Sequence, residues 1–488
     1  MGRSFRFVIL GGGVSAGYAA LEFVRLGIPA GDLCIITDEA VAPYERPALS
    51  KGFLLPEGAV RLPAFHTCVG VGAERLTARW YKEHGIELLL NTQVVSVDLK
   101  RQTLLTSAKE TIAYLTLIVA TGARVLRLEE FGVTGADARN IFYLRNLHDA
   151  TKLVEAMQSC SGGKAVVIGG GYIGMECAAA LVSNGVHVTM VFPESHCIAR
   201  LFTPQIATFY EDYYTRRGVV FVKGTVMSTF ESDIDGKVAA VVLKDGTRLP
   251  ADLVVVGVGI RPNTTLLEGQ LTMEKGGIKV NGKMRTSNST VYAVGDVAAF
   301  PLKMYGDVRR LEHVDHARKS AAHAVESIMH PERAKDYDYL PYFYSRVFSL
   351  SWQFFGDNSG ECLLFGDLKS EKFGAYWVDR GRLVGAFLEG GSKSEYAALA
   401  VVARKRPMVE DVQLLAGQGI KFALALCEAT SSDSLVSTMA ATDDERGAMA
   451  AVASDLLQHS GFKVGAGIVV AVAVSWVAYW YGRKKWRK

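Results

Sequence analysis

The chain has 488 residues, of which 49% are hydrophobic and 21% charged, and a net charge of +4 at neutral pH. This balance excludes a disordered or fibrous protein and leaves room for three globular domains. The basic residues are dispersed until the last few positions, which follow a hydrophobic span, so nucleic acid is excluded as a partner; seven cysteines without a C-x-x-C pair exclude a disulfide framework and point to a reducing compartment.

Phe5 to Leu10 is an apolar strand, reached so early that no signal or transit peptide is expected ahead of it. The glycine turn Gly11-Gly12-Gly13-Val14-Ser15-Ala16 follows. Apolar positions at helical spacing then run from Gly17 to Leu26, Gly27 stops the helix, and Leu33 to Thr37 is the second strand. Gly11 and Gly13 permit a tight turn and let backbone N–H groups approach a pyrophosphate at the positive end of the helix, with Ala16 in the third position. Asp38 and Glu39, at the tip of the second strand, are both candidates to accept hydrogen bonds from an adenosine ribose. The next segment, Pro43 to Lys51, contains no cysteine, and Cys68 reads as a small buried apolar residue rather than a reactive thiol. Thr116 to Ala120 is a strand ending in Thr121-Gly122-Ala123.

The same logic then repeats. Lys164 to Ile168 is a strand, Gly169-Gly170-Gly171-Tyr172-Ile173-Gly174 a second glycine turn, and a helix runs from about Ile173 to Ser183, with Gly185 as its stop. His187 to Phe192 is the strand after it. Glu194 follows that strand, where a carboxylate pairs with the 2′-OH of NAD and repels the 2′-phosphate of NADP, so NADH is the expected donor. Arg200 lies nearby, and its guanidinium partly offsets that repulsion. Two glycine turns in full strand–turn–helix–strand context imply two dinucleotides on one chain, and hence electron transfer. Leu253 to Val258 is a further strand, ending in Gly259-Ile260-Arg261-Pro262.

Glu428 to Ser460, rich in Ser, Thr, Ala and Asp, reads as a linker. Val464 to Tyr481 carries no charge; as a helix it would extend about 27 Å, near the thickness of a thin bilayer. Trp476, Tyr479, Trp480 and Tyr481 gather at one end, and Arg483-Lys484-Lys485-Trp486-Arg487-Lys488 closes it, the pattern of a tail anchor.

Thr286-Ser287-Asn288-Ser289-Thr290-Val291-Tyr292-Ala293-Val294-Gly295-Asp296 resembles the second flavin fingerprint of the two-dinucleotide oxidoreductases. That resemblance assigns Asp296 to a flavin site, FAD to the first glycine turn and NADH to the second. Thiol-linked flavoenzymes such as glutathione reductase carry a C-x4-C pair beside the flavin; its absence from Pro43 to Lys51 means that electrons leave without a disulfide relay. Four more segments, Ala42 to Gly52, Glu312-His313-Val314-Asp315-His316-Ala317-Arg318, Tyr337 to Arg346 and Trp352-Gln353-Phe354-Phe355-Gly356-Asp357-Asn358, together resemble the plant monodehydroascorbate reductases over about residues 5 to 427. The basic-ended hydrophobic tail is similar to that of the membrane-bound peroxisomal form.

The resemblance implies roles by residue. The first turn, Gly11 through Ala16, with Glu39, Arg46, Lys51, Asp296, Val314 and Tyr344, contacts FAD. The second turn, Gly169 through Gly174, with Tyr172, Glu194, Arg200, Gly259, Glu312 and His313, contacts NADH. Arg318 and Tyr344 form the acceptor pocket, a fixed cation and a phenol for a small radical anion. No metal and no acid–base residue is implied. The expected reaction is hydride transfer from NADH to FAD, then two single-electron transfers to two monodehydroascorbate radicals, in ascorbate recycling and peroxide detoxification coupled to ascorbate peroxidase. Two other readings remain: an NADH-dependent reductase of a ferredoxin-like iron–sulfur protein, and a flavoprotein resembling apoptosis-inducing factor.

The fold class implied is α/β: two Rossmann-like dinucleotide-binding domains as in glutathione reductase, a small α+β domain and one C-terminal transmembrane helix. The expected divisions are FAD domain 1–145 and 262–325, NADH domain 146–261, α+β domain 326–427, linker 428–460 and anchor 461–488. The peroxisomal membrane is the expected location, with the endoplasmic reticulum or an organelle outer membrane as alternatives.

Overall fold

The computed structural model describes residues 2–56, 67–70 and 73–434. Met1–Cys68 and Arg75–Thr438 make one compact unit; the described part of the other is a short turn, in which the Gly70 N–H donates to the Glu74 carbonyl at 2.9 Å.

In the large unit each glycine turn follows a central parallel strand. Arg3–Leu10 lies between Leu33–Ile36 and Thr111–Val119, with Leu10 opposite Ile36 and Val8 opposite Leu117, and Val291–Ala293 adds a parallel strand beside Thr111–Val119. The second sheet runs in the order Val220–Lys223, His187–Phe192, Lys164–Ile168, Leu253–Val256, Ile141–Tyr143, all parallel. Such strands are covered on both faces, which is why Leu33–Ile36 and Leu253–Val256 are unbroken apolar runs. Ile141–Tyr143 falls ahead of the expected boundary at 146, and the strand expected to reach Val258 ends at Val256. Three apolar-to-aromatic residues carry little pattern of their own, and only pairing with Leu253–Val256 makes Ile141–Tyr143 a strand. The chain crosses between the two sheets on an antiparallel ribbon, Ala123–Val125 with Ile260–Pro262.

Val314–Met329 is a helix of the first layer, so a division at 325/326 would cut through it; Tyr337 and Tyr339 still pack in the first core. The last layer is a five-stranded antiparallel sheet in the order Tyr342–Val347, Leu350–Gly356, Arg382–Glu389, Lys372–Asp379, Glu361–Asp367, backed by helices Lys393–Lys405, Val412–Gln418 and Ile420–Ser434. Ser392 and Glu395 cap the first of these helices reciprocally. The last helix runs through Ser434, correcting the expected linker start at 428: Ala429 to Ser434 has no Gly or Pro to stop it. The remaining linker and the expected anchor lie outside the described residues. Among those described, no helix is long and apolar enough to cross a membrane.

An aromatic core joins the second and third layers. Phe202 stacks on Tyr210 at 5.5 Å and meets Trp352 edge-on at 5.3 Å, and Phe209 meets Phe373 at 4.6 Å. Glu389 is buried in the same contact, accepting from the Tyr210 hydroxyl at 2.8 Å and the Ser351 N–H at 2.7 Å. Burial pushes its carboxyl up from 4.5 to about 7, against those two donors. The folded state therefore holds this proton more tightly than the unfolded chain. The stability that Glu389 contributes is full below about 4.5 and is lost as pH rises through about 7. Glu389→Gln is expected to flatten the fall in Tm across that window; a wild-type fall in the variant, followed by circular dichroism, would assign the dependence to other groups.

Candidate functional site

At the first glycine turn the backbone is packed as closely as a missing Cβ allows. A Cβ on Gly11, whose φ is +118°, would stand 2.3 Å from the Ala120 carbonyl oxygen, and one on Gly12 would stand 2.4 Å from Thr37 Oγ1. Gly13 opens the helix Val14–Arg25 without a side-chain cap, so its first N–H groups face a cleft of about 1310 Å³. Gly11 through Ser15, Glu39, Arg46, Lys51, Tyr172, Asp296, Glu312, His313, Val314 and Tyr344 line that cleft. A glycine cradle, an uncapped helix start and this volume fit a dinucleotide.

Asp38 is exposed, whereas Glu39 is half-buried, accepting from the Tyr44 hydroxyl at 2.6 Å and pairing with Arg46. Arg46 also donates to the Tyr44 hydroxyl and to the Arg145 carbonyl, each at 2.9 Å. Arg145 in turn pairs with Asp296 at 3.0 Å. Arg145 escaped sequence reasoning because no motif marks it; it lies 151 positions from its partner.

Lys51 pairs at 3.0 Å with Glu176, a carboxylate 1% exposed in its side chain in the middle of the helix Tyr172–Ser183. Glu176 also accepts from Ser50 and from Ser345. Lys51 lies 5.7 Å from the ring centre of Tyr344, which stacks on Tyr342 at 6.1 Å. A Glu in an otherwise apolar helix face is a readable signal, and sequence reasoning passed over it.

Arg318 does not line the cleft. It is mostly buried, donating to Glu45 at 2.7 Å and lying 5.3 Å from the ring centre of Tyr18, whose hydroxyl donates to Glu45 at 2.8 Å. Burial works against its charge, but Glu45 and the phenols of Tyr18 and Tyr344 outweigh it, and the guanidinium is held well above its ordinary range. Its Nε is buried with no hydrogen-bond partner among the described residues. Glu45 and Tyr18 were not among the expected site residues. Cys68 packs beneath this group, fully buried, and burial first, then Glu45, pushes its thiol well above the usual range. Iodoacetamide is therefore expected to leave Cys68 unlabelled in the native protein and to label it after denaturation, as read by mass spectrometry; labelling in the native protein would mean that the pocket floor opens.

His313 stacks on Phe343 at 4.6 Å, and burial drives its pKa down to about 4, so the imidazole is neutral at physiological pH. Its Nδ1 is buried without a partner among the described residues. Glu312 pairs with Arg310, which also donates to the Asp296 carbonyl at 3.2 Å.

At the second glycine turn a Cβ on Gly169, with φ +116°, would stand 2.3 Å from the Gly257 carbonyl oxygen, and one on Gly174 would stand 2.2 Å from the Gly169 carbonyl oxygen. Gly171 faces open space. Tyr172 and Ile173 reach the cleft of the first turn; Gly169, Gly170, Gly171, Gly174, Glu194, Arg200 and Gly259 are not part of its wall. Glu194 and Arg200 are exposed beyond the end of the strand His187–Phe192.

Residues 5–321 match the family described as pyridine nucleotide-disulphide oxidoreductase, and residues 340–423 match the C-terminal domain described as monodehydroascorbate reductase 3-like. The chain is 60% identical to Monodehydroascorbate reductase 2, peroxisomal, of Oryza sativa subsp. japonica, over all of both chains. It is 59% identical to Monodehydroascorbate reductase 4, peroxisomal, of Arabidopsis thaliana, again over all of both. Among solved structures, a ferredoxin reductase for the CYP199A2 system of Rhodopseudomonas palustris is similar with TM-score 0.77 and 28% identity, covering 87% of this chain and 99% of that one.

Proposed function

We propose how the residues of this chain divide its work from the premise that it belongs to the monodehydroascorbate reductase family, within the pyridine nucleotide-disulphide oxidoreductases. It is an oxidoreductase that uses NADH and FAD to reduce the monodehydroascorbate radical to ascorbate. One NADH and one proton convert two radical anions to two ascorbate anions. The chemistry FAD supplies when bound is the change from two-electron to one-electron traffic.

The chain's own residues do the rest. Gly11 to Ser15 and the helix they open receive the FAD pyrophosphate, with the expected Ala16 fully buried off the cleft, while Glu39 receives the adenosine ribose, and Arg46, Lys51, Asp296 and Val314 the remainder. Gly169 to Gly174, with Glu194, Arg200 and Gly259, receive NADH, while Tyr172, Glu312 and His313 stand between the two sites. A neutral His313 adds no charge where hydride passes. Arg318, with its unpartnered Nε, and Tyr344 hold the acceptor anion, and Glu45 fixes the guanidinium while Tyr18 backs it. The observation that carries this reading is the mostly buried Arg318 cation, paired with Glu45 and within electrostatic reach of Tyr344, which lines the cleft.

The test is NADH oxidation by the full-length holoenzyme while ascorbate oxidase generates the radical. Rapid oxidation that stops with radical generation supports the reading. Reduction by NADH without reoxidation by the radical would turn attention to an iron–sulfur protein acceptor, the reading favoured by the likeness to a ferredoxin reductase, which at 28% identity is far more distant than the reductases at 60%. Very slow reoxidation by every acceptor would favour the assembly role of apoptosis-inducing factor.

The uncharged run Val464 to Tyr481 with its basic end, and the peroxisomal designation of both relatives, support a tail anchor in the peroxisomal membrane, with ascorbate peroxidase as functional partner. Protease protection of an N-terminal tag in intact organelles tests the anchor; a wholly soluble protein would refute it.

A further inference from the structure

We propose that Asn358, in the last layer, is a positioning residue for the nicotinamide dinucleotide, acting through the loop that carries Arg200. The inference rests on the reading of Glu194 and Arg200 as part of the NADH site.

The loop leaves the strand His187–Phe192 and turns sharply at Ile198, whose φ of +50° is a left-handed conformation that a β-branched side chain rarely adopts. Surrounding contacts have to impose such a turn. Two come from the loop's own domain: the Ile198 N–H donates to the Gly170 carbonyl at 2.7 Å, and the Cys197 N–H donates to Glu211 at 2.8 Å. The third comes from another layer, where Asn358 Nδ2 donates to the Arg200 carbonyl at 2.8 Å and to the Leu201 carbonyl at 3.0 Å. Both amide hydrogens are thereby spent, and only the Nδ2 orientation suits two carbonyls. Because the first contact ends on Gly170, a shift at Arg200 and Leu201 is passed through Ile198 to the middle of the second glycine turn.

Asn358 is exposed, and it is the residue before it that is anchored. Asp357 beside it donates its N–H to the Val384 carbonyl at 2.9 Å and pairs with Arg309, and a Cβ on Gly385 would stand 1.8 Å from the Asp357 carbonyl oxygen. The segment Trp352 to Asn358 thus ends in a clamp that joins the antiparallel sheet to the adenosine end of the NADH site. The last domain accordingly sets the grip on the electron donor as well as walling the acceptor side.

The test uses the full-length holoenzyme with Asn358→Ala, Asn358→Asp and, as a control for the site itself, Glu194→Ala. NAD+ binding to the oxidised protein is measured by calorimetry, and KM and kcat are measured with NADH and NADPH. Losing both hydrogen bonds is expected to raise the Kd for NAD+ and the KM for NADH about tenfold with kcat and FAD content unchanged. Asn358→Asp, of the same shape but facing two carbonyls with an acceptor, is expected to weaken binding further. If Glu194→Ala alters NADH binding and neither Asn358 variant does, the inference falls while the site reading stands. If none of the three alters binding, the site reading falls and takes the inference with it. Loss of kcat and FAD in step with Kd would mark Asn358 as merely structural and would also overturn the proposal.

Discussion

Arg318→Ala raises the KM for the radical acceptor by about tenfold or more and leaves reduction by NADH nearly unchanged. The estimate follows from the guanidinium's surroundings. A charge-assisted hydrogen bond to an anion contributes about 1.5–3 kcal/mol, and every 1.4 kcal/mol is a factor of about ten. The loss also has a second component. Glu45, now held by Arg318 and the Tyr18 hydroxyl, would be left buried with no cation opposite. Arg318→Lys is expected to recover only part of the affinity, since one ammonium cannot serve Glu45 and the acceptor in the geometry of a planar fork. Stopped-flow traces of the two half-reactions separate the effects: slowing confined to reoxidation is expected, and equal slowing in both would remove Arg318 from the acceptor pocket.

Gly174→Ala is expected to abolish useful NADH binding while FAD stays bound. The added Cβ would stand 2.2 Å from the Gly169 carbonyl oxygen and 3.6 Å from Met190 Cε. The near atom is backbone at the turn itself and has nowhere to go, so the helix Tyr172–Ser183 must lift from the strand beneath it. Overpacking of this kind costs about 1–3 kcal/mol in stability and displaces the N–H groups aimed at the pyrophosphate. Gly171→Ala is the informative companion, because a Cβ there meets no protein atom within 4 Å. It should fold and melt like wild type, so any weakening of NAD+ binding by calorimetry measures how near the ligand lies. Unchanged NAD+ affinity in Gly174→Ala would dissociate this turn from the dinucleotide.

What the sequence made legible was local. Both glycine turns, their strands and helices, and the stops at Gly27 and Gly185, each with φ +77°, stand close to where periodicity and turn chemistry placed them, the first helix opening at Val14 rather than the expected Gly17, because the relevant residues are neighbours in the chain. Non-local features were not legible. Ile141–Tyr143 is a strand only by pairing with Leu253–Val256. Glu45 and Arg318 meet across 273 positions, and Arg145 and Asp296 across 151, with nothing near either carboxylate to announce its cation. Arg318, beside Lys319, has the sequence setting of a surface cation, and the fold buries it while leaving Lys319 exposed on the neighbouring helix position. At Ala429 to Ser434 composition suggested a linker, and helix propagation from Ile420 prevailed.

Glu176 bears on how this enzyme can be re-engineered. Its one carboxylate, carried on the nucleotide-binding helix, is shared by Ser50 and Lys51 from the first layer and Ser345 from the last. A chimaera that exchanges the segment of the second glycine turn for that of a reductase with another electron donor would leave a lysine and two hydroxyls facing an unmatched side chain. Parts that look interchangeable along the chain are interlocked in space, and point changes at the proposed NADH contacts Glu194 and Arg200 leave this junction intact where grafting whole modules would not.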